Sequence, residues 1–379
     1  MVLLTAEEFG YGPAVTLNCI VSNLRRIYHD KFVFMGAGVA LEQAKKSMLY
    51  DEYVVCSTYD TKSLEQNESW FKKADFILSV ENPNGAIFSL KYNTKVFYVD
   101  NLFWMWDYLP KKLEQVNRYF ILDIFDIDAQ ITRLRFCTDN LIRIGPLREF
   151  SYTEREQIIP GTLLINLGGG DSFLNDKKLV NSYYSILCNI LIYEAQQAAI
   201  STITICGGTS LMRSLQKECP SPGVQFTSFG QKEYLKVLHT SQHVILSPGL
   251  GNFFEILDVD PEIFMIPAIN YSQFLQLEKF ATMDLGIHSI NWSDFEWYKE
   301  VKPYQEESIG VKAVLSNIKH FVQNGDSNHL IGRHVNRYLN RTYSSFLPQR
   351  SQKLMEFGSN GISVVISEIM KEIGANVVV

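Results

Sequence analysis

The sequence lacks the features that mark nucleic-acid-binding, secreted and membrane-spanning proteins. Its six cysteines include no CxxC pair, so neither a zinc site nor a disulfide framework is indicated. Lys and Arg number 35 against 41 Asp and Glu and form no basic cluster, which makes nucleic acid a disfavoured partner. No stretch approaches the roughly 20 apolar residues of a membrane span, and Met1–Glu8 carries no basic signal-peptide region. We therefore expect a cytoplasmic protein without a membrane span.

The chain is too long for one ordinary hydrophobic core. Its 379 residues are 46% hydrophobic and 20% charged, which is globular composition, and a domain usually has roughly 100–200 residues. In the first 145 residues, apolar runs of four to six residues alternate with longer amphipathic stretches. Such runs are typical of parallel strands covered on both faces. Strands are expected at residues 2–6, 31–35, 53–56, 75–80, 95–99 and 119–122, with a last short strand from 141.

The same pattern restarts in the second half of the chain. Strands are expected at residues 162–167, 202–206, 224–226, 243–246 and 263–266, a helix at 179–197, and helices after about 305. The predicted fold class is α/β, with two Rossmann-like, doubly wound domains at 1–147 and 148–340. A helical segment at 341–379, which includes a polar stretch at 341–352, is expected to cross back to the first domain. Ligands are expected in a cleft between the carboxyl ends of the two sets of strands.

The most informative stretch lies at residues 246–255. A strand ends in Ser247-Pro-Gly249-x-Gly251, and a helix is expected to begin at about Asn252 with Glu255 in its first turn. Glycines let backbone N–H groups approach a pyrophosphate, and a helix N-terminus adds positive potential. The carboxylate of Glu255 can accept hydrogen bonds from both hydroxyls of a ribose. The alternative is a plain strand-to-helix turn that Glu255 caps.

Further polar residues are expected around this stretch. A strand end is expected to carry Asn270, Gln273 and Gln276, whose amides can hydrogen-bond sugar hydroxyls in both directions. Gly169 and Gly208 end neighbouring strands and could line the same pocket. The stretch at residues 246–255 and the stretch at residues 267–276, at this spacing, together favour a nucleotide-sugar site.

Arg148, just past the interdomain Gly-Pro, is expected to reach a diphosphate. The alternative for Arg148 is a solvated linker arginine. His239 and His243 are four residues apart, but a strand begins at His243, so a metal site there is not expected.

Three carboxylates follow strands of the first domain. Glu8 precedes a loop containing Gly10 and Gly12, which could approach a ligand or could serve only helix packing. Glu81 ends another strand.

Asp100 ends the next strand and is followed by Trp104 and Trp106. Aromatic faces beside a carboxylate are suited to stacking an acceptor ring, and they can also raise the pKa of that carboxylate. The alternative is that both tryptophans belong to the core and that Asp100 caps the next helix. Asp100 is the expected catalytic base and Glu8 the second choice, with Glu81 and Trp104 on the acceptor side.

The pair of motifs Ser-Pro-Gly-x-Gly-x-x-x-Glu at 247–255 and Pro-x-x-x-x-x-Gln at 267–273 resembles the donor-binding half of GT-B glycosyltransferases of the MurG and UDP-glycosyltransferase kind. The likeness extends to Gly-Tyr-Gly-Pro at 10–13, Val-Asp-Asn-Leu-Phe-Trp-Met-Trp at 99–106, Ile-Gly-Pro at 144–146 and Phe-Gly-Ser-Asn-Gly at 357–361. Together these motifs resemble the cytosylglucuronate synthase group. The abundance of Lys, Ile, Asn and Tyr departs from that group, which leaves the sugar and the acceptor open.

The resemblance implies transfer of a sugar from a nucleotide-sugar to a small acceptor, such as a cytosine-type base or nucleoside. The donor is expected to be a UDP-sugar, with UDP-glucuronate as one candidate. No metal and no other cofactor is expected. The alternatives are a nucleotide-sugar epimerase or hydrolase of the same fold, a non-catalytic nucleotide-sugar-binding protein, and a base-modifying glycosyltransferase that acts on nucleic acid.

Overall fold

The structure, a computed structural model, describes residues 1–8, 11–136, 139–148, 157–169, 176–341, 344–358 and 360–374. It divides into two compact units. The first comprises Met1–Phe150 and Met355–Val379, and the second comprises Ser151–Leu354. Residues 341–354, which the sequence assigned to the C-terminal segment, lie in the second unit, and the chain enters the first unit again at Met355.

The apolar runs of the first half form a parallel sheet. Its strands are β1 (Val2–Ala6), β2 (Phe32–Gly36), β3 (Glu52–Val55), β4 (Phe76–Val80), β5 (Lys95–Asp100), β6 (Arg118–Leu122) and β7 (Leu141–Ile144). Their order across the sheet is β3-β2-β1-β4-β5-β6-β7. Every residue of β1, β2 and β4 is buried, as expected for strands covered by helices on both faces.

A second parallel sheet forms in the second unit. Its strands are β8 (Ile159–Asn166), β9 (Thr202–Cys206), β10 (Val224–Thr227), β11 (Ser241–Leu246), β12 (Ile263–Met265) and β13 (Ile287–Ser289). Their order is β10-β9-β8-β11-β12-β13. The strand order reverses between β1 and β4 in the first sheet and between β8 and β11 in the second. These reversals are the switch points beside which open α/β sheets bind ligands.

Helices connect the strands of both sheets. In the first unit they are α1 (Gly12–Leu24), α2 (Gly38–Ser47), α3 (Thr61–Gln66), α4 (Glu68–Lys73), α5 (Pro83–Ser89) and α6 (Ile127–Leu134). In the second unit they are α7 (Lys177–Gln197), α8 (Thr209–Glu218), α9 (Gln231–Thr240), α10 (Leu250–Ile256), α11 (Tyr271–Ala281), α12 (Glu307–Gln323), α13 (Asn328–Leu339) and α14 (Leu347–Glu356). Within the described ranges, no helix is both long enough and apolar enough to cross a membrane.

The last helix, α15 (Gly361–Ile373), belongs to the first unit. It packs against α1, β6 and β7. Arg118 Nε donates to Glu368 at 3.1 Å, and the same guanidinium pairs with Glu372. The buried apolar face of α15, which includes Val365 and Ile369, accounts for the helical period seen in the sequence.

Two elements were not predicted. Strand β13 has three half-buried residues at the edge of its sheet, so no apolar run marks it. Helix α14 covers the second half of the expected polar stretch, and its buried residue is Arg350 instead of an apolar stripe. Arg350 is 0% exposed and donates to the backbone carbonyls of Val259, Pro261, Leu285 and Gly286. These hydrogen bonds satisfy a buried cation and hold α14 to the second unit.

Candidate functional site

Three glycine-bearing turns meet at the carboxyl edge of the second sheet. Gly208 N donates to Gly168 O at 3.0 Å, which joins the turn after β9 to the turn after β8. Gly168 has φ +68°, and a Cβ atom there would lie 2.9 Å from Ser247 Oγ in the turn after β11. Only glycine fits this position without strain. Three predicted donor residues, Gly169, Gly208 and Ser247, therefore belong to one group of turns beside the β8/β11 switch point.

Helix α10 differs from its predicted form. It begins at Leu250, two residues before the expected start, because buried Leu250, Phe253 and Phe254 set the helical period. The expectation that Glu255 lies in the first turn is wrong, since the helix ends at Ile256 and Glu255 lies in its last turn. The N-cap, Gly249, has an extended φ of 173°.

Two glycines near the start of α10 are not demanded by packing. A Cβ atom on Gly249 or on Gly251 would meet no atom within 4 Å. The φ of Gly249 is one that any residue adopts. Glycine at such positions leaves room for close approach of a ligand to the backbone.

Beside these turns lies a polar network. Asn252 Oδ1 accepts hydrogen bonds from Asn166 Nδ2 and from the Tyr234 hydroxyl, each at 3.1 Å. Asn252 Nδ2 donates to Ser247 O at 2.9 Å, and Asn166 Oδ1 accepts from Gly168 N at 2.8 Å. The network fixes the turns after β8 and β11 relative to one another. The sequence pattern indicated Asn252 as a site residue but did not indicate Asn166 or Tyr234. The position of Asn166 at a strand end was a signal for it, whereas no sequence signal marks Tyr234 on α9.

Glu255 lies close to this network. Burial, and after it the Glu255 carboxylate, raises the pKa of the Cys206 thiol to about 12. Burial and then Glu255 also raise the pKa of Tyr234 well above its usual range. The carboxylate is therefore near the end of β9 and the buried face of α9.

The three predicted amides lie at the start of α11, and the expectation that a strand end carries them is wrong. Asn270 is the N-cap, and its Oδ1 accepts from Gln273 N at 2.9 Å. Gln273 Oε1 accepts from Ile269 N at 3.2 Å. Gln276 lies in the second turn of α11, 3% exposed, and its Oε1 has no hydrogen-bond partner among the described residues. An unpaired buried amide oxygen calls for an explanation such as a ligand.

In the first unit, Glu8 is held by the turn after β3. Its Oε2 accepts from Ser57 Oγ at 3.0 Å, and its Oε1 accepts from Thr58 Oγ1 at 3.1 Å and from the Thr58 backbone N–H. Asn82 Nδ2 in turn donates to Thr58 Oγ1 at 2.9 Å. Glu8 thus ties together the turns after β1, β3 and β4. Gly10 lies outside the described residues, and Gly12 is the first residue of α1, where a Cβ atom would meet no atom within 4 Å.

Glu81 and Asn101 form a second polar pair at the same sheet edge. Glu81 follows β4 with φ +52°, a backbone conformation that is rare for a non-glycine residue. Asn101 follows β5 and donates from Nδ2 to Glu81 Oε1 at 2.6 Å and to Thr16 Oγ1 at 3.3 Å. Asn101 is 6% exposed, and its Oδ1 has no partner within the described part of the chain.

Asp100, the last residue of β5, is 1% exposed. Its oxygens accept from Leu102 N at 2.9 Å, from Trp106 Nε1 at 3.2 and 3.1 Å and from the Tyr119 hydroxyl at 2.7 Å. Burial raises the pKa of Asp100 from 3.8 to about 6, although these hydrogen bonds lower it. Asp100 therefore organises the connection after β5. Trp104 is also buried, lies edge-on to Phe125, and its Nε1 has no partner among described residues.

Three carboxylates of the first unit, Asp100, Glu81 and Glu7, share one neighbour, Tyr98. Burial raises the pKa of Tyr98 well above its usual range, and the charges of Asp100, Glu81 and Glu7 raise it further. These three carboxylates are therefore near Tyr98, a residue of β5. Arg148 is buried and lies in the first unit, after β7. Among the residues that the structure describes, no cluster of three or more His, Cys, Asp or Glu is placed to hold a metal ion.

Comparisons with known proteins bear on the fold. No protein-family model matches the sequence, and no curated protein matches it. Among solved structures, the chain is similar to Arabidopsis thaliana UGT89C1 complexed with UDP, with 10% identity, a TM-score of 0.53, and coverage of 98% of this chain and 99% of that one.

Two other solved structures are similar to the same degree. The S. aureus MnaA–UDP co-structure has 9% identity and a TM-score of 0.52, with coverage of 99% of this chain and 97% of that one. Phytolacca americana UGT2, complexed with UDP-2fluoro-glucose and pterostilbene, has 8% identity and a TM-score of 0.52, with coverage of 98% and 99%. With parallel Rossmann-like sheets of seven and six strands, matched over nearly the whole chain, the protein has the GT-B fold.

Proposed function

We propose that the protein is a glycosyltransferase that moves a sugar from a UDP-sugar to a small acceptor. The observation that carries this proposal is the meeting of three glycine-bearing turns, at residues 167–169, 207–208 and 247–249, beside the switch point of the second sheet. Turns that carry glycine in place of larger side chains let the diphosphate of a nucleotide-sugar approach the backbone closely. The open space at Gly249 and Gly251 leaves room for it.

Polar groups around these turns suit the remainder of the donor. The Glu255 carboxylate, close to the end of β9, is assigned to ribose hydroxyls, which donate well to an ionised group. The unpaired Gln276 Oε1 is assigned to a sugar hydroxyl, since a buried amide oxygen is costly to leave unsatisfied. Asn270 and Gln273 use their amide oxygens at the start of α11, which leaves their amide nitrogens as donors.

The choice of UDP is supported by the structural neighbours. UGT89C1 and MnaA were each solved with UDP, and Phytolacca americana UGT2 was solved with a UDP-sugar derivative. UDP-glucuronate as donor, a cytosine-type acceptor and a cytoplasmic location remain predictions from the sequence, as does the absence of a cofactor.

Of the three candidate carboxylates in the first unit, we assign the catalytic base to Glu81. Asp100 and Glu8 already accept several hydrogen bonds within the unit and fix its turns. Glu81 lies at the β1/β4 switch point and has φ +52°, and such strain is concentrated at functional sites. The unpaired Asn101 Oδ1 beside it marks a place for a ligand donor.

The reaction follows from these assignments. A lone pair on an acceptor oxygen or nitrogen forms a bond to the anomeric carbon of the sugar. The bond between that carbon and the diphosphate oxygen breaks, and UDP leaves with the electron pair. The acceptor proton passes to Glu81. Backbone N–H groups of the second unit stabilise the charge that develops on the diphosphate.

The experiment measures release of UDP from a panel of UDP-sugars with and without a mixture of small acceptors. Acceptor-dependent release is expected, and Glu81→Gln should lower turnover by about 10²–10⁴, the usual size of a lost general base. Glu65→Gln, which changes an exposed carboxylate on α3, is the matched control and should leave turnover unchanged. Failure to bind UDP, or equal release of UDP without any acceptor, would overturn the proposal, and the second result would favour a hydrolase. Conversion of the UDP-sugar into another UDP-sugar without release of UDP would also overturn it and would favour an epimerase.

A further inference from the structure

Asn101 lies directly after β5 and contacts two other connections of the first unit. Its Nδ2 donates to Glu81 Oε1 at 2.6 Å, in the turn after β4, and to Thr16 Oγ1 at 3.3 Å, on α1. A side-chain amide has two N–H donors, and these two contacts use both of them. The nitrogen end of the Asn101 amide is therefore fixed beside Glu81, to which we assign the role of base.

The oxygen end of the same amide is left without a donor. Asn101 is 6% exposed, and its Oδ1 has no partner among the described residues. Turning the amide over would not satisfy the oxygen, because it would then face the Glu81 carboxylate, which has no proton to donate when ionised. Leaving a buried oxygen unsatisfied costs more than the average hydrogen bond contributes. The missing partner is therefore a hydrogen-bond donor, and a bound ligand can supply it.

The unpaired oxygen and the Glu81 carboxylate are close enough to hold one ligand together. The oxygen and nitrogen of an amide are about 2.2 Å apart, so the 2.6 Å contact places Asn101 Oδ1 within about 5 Å of Glu81 Oε1. A carboxylate has about four acceptor positions, so Glu81 can accept from Asn101 and from a ligand at the same time. Hydroxyls on two adjacent carbons can reach both acceptors, since each hydrogen bond spans about a further 2.7 Å.

We propose that Asn101 determines acceptor specificity and that the acceptor is a vicinal diol, a molecule with hydroxyls on two adjacent carbons. One hydroxyl donates to Glu81, and its neighbour donates to Asn101 Oδ1. During transfer the first oxygen forms the bond to the anomeric carbon, its proton passes to Glu81, and UDP leaves with the electron pair. The second hydroxyl keeps its proton. This inference rests on the proposed glycosyltransferase function and specifies the substrate class of the same site.

The test uses three ligands with the same ring. Catechol carries two adjacent hydroxyls, 2-methoxyphenol carries a methyl ether in place of one of them, and phenol carries one hydroxyl alone. Calorimetry first establishes UDP binding, and saturation-transfer NMR under nitrogen then measures the dissociation constant of each ligand with UDP present. Catechol should bind at least about fivefold more tightly than either of the others, the lower limit of the penalty for a buried acceptor left without a donor.

A variant links this preference to Asn101. Asn101→Ala removes the unpaired oxygen, so the preference for catechol should fall to within about twofold. The matched control is Asn93→Ala, which changes an exposed residue between α5 and β5, at the opposite edge of the same sheet, and should leave the preference unchanged. Thermal unfolding confirms that each variant is folded. Comparison of the three ligands on the parent protein tests the inference even where Asn101→Ala unfolds.

The outcomes separate the two proposals. Absence of UDP binding overturns the proposed function itself. UDP binding together with no catechol binding, with equal or tighter binding of phenol or 2-methoxyphenol, or with a preference that Asn101→Ala does not change, overturns the diol inference and leaves the donor half intact.

Discussion

Replacement of Gly168 by alanine tests whether the three turns of the second unit form one binding structure. Gly168 has φ +68°, its carbonyl accepts from Gly208 N at 3.0 Å, and a Cβ atom on it would lie 2.9 Å from Ser247 Oγ. The substitution therefore strains the backbone and also pushes the turn after β11 away from the turn after β8.

The size of the effect follows from a matched control. Gly223 has φ +80°, and a Cβ atom there would meet nothing within 4 Å. Gly223→Ala therefore carries only the left-handed backbone penalty, about 1–2 kcal/mol. Gly168→Ala carries that penalty and a steric one of about 1–3 kcal/mol for an overpacked position. We expect a loss of roughly 2–5 kcal/mol in the free energy of unfolding, obtained by adding these two ranges.

The assays are urea unfolding and UDP calorimetry on both variants. Gly168→Ala should weaken UDP binding by about tenfold or more, the loss of about one charge-assisted hydrogen bond, whereas Gly223→Ala should not change it. In the Gly168→Ala background, Ser247→Ala removes the clashing oxygen and should restore part of the stability. The reasoning is refuted if both glycine variants lose the same stability, or if Gly168→Ala binds UDP with unchanged affinity.

Three further predictions follow from single side chains. Glu255→Ala should weaken UDP binding by roughly 1–3 kcal/mol, and unchanged calorimetry in a folded variant would remove Glu255 from the site. The pKa of Asp100 is raised from 3.8 to about 6. At a pH between these two values, Asp100 therefore still holds its proton in the folded state but has lost it in the unfolded state. Stability should therefore fall as pH rises from 4 to 6, by up to about 3 kcal/mol for roughly two pKa units. Asp100→Asn should flatten that slope in urea unfolding, and an unaltered slope would contradict the assignment. Arg350→Met leaves buried carbonyls without donors and should cost at least about 3 kcal/mol, whereas unfolding at the parent's urea midpoint would show that Arg350 is dispensable.

Most of the fold is predictable from the sequence because parallel strands buried on both faces leave continuous apolar runs. The runs that became β1, β4 and β11 each end at a turn signal, and the predicted bounds agree with the structure to within two residues. The pattern of apolar residues does not predict an element whose buried residue is polar. In α14 the buried residue is an arginine satisfied by backbone carbonyls, and no periodicity analysis detects such a helix.

The candidate site was predictable in part. Strand ends point to the turns around Ser247, Glu81 and Asp100, since residues after parallel strands share one edge of a sheet. The roles within that edge were not predictable, because they depend on which donors each carboxylate meets. Asp100 contacts Tyr119 from a neighbouring strand, a contact that depends on strand order and register.

Determination of a crystal structure with bound UDP tests the central claim most directly. We predict that the diphosphate lies against the glycine-bearing turns at residues 167–169, 207–208 and 247–249, within hydrogen-bond distance of the backbone N–H groups of Gly249 and Gly251, and that the ribose hydroxyls lie within hydrogen-bond distance of the Glu255 carboxylate. UDP bound elsewhere on the protein, or bound at this edge without contact between the diphosphate and these turns, would contradict the account.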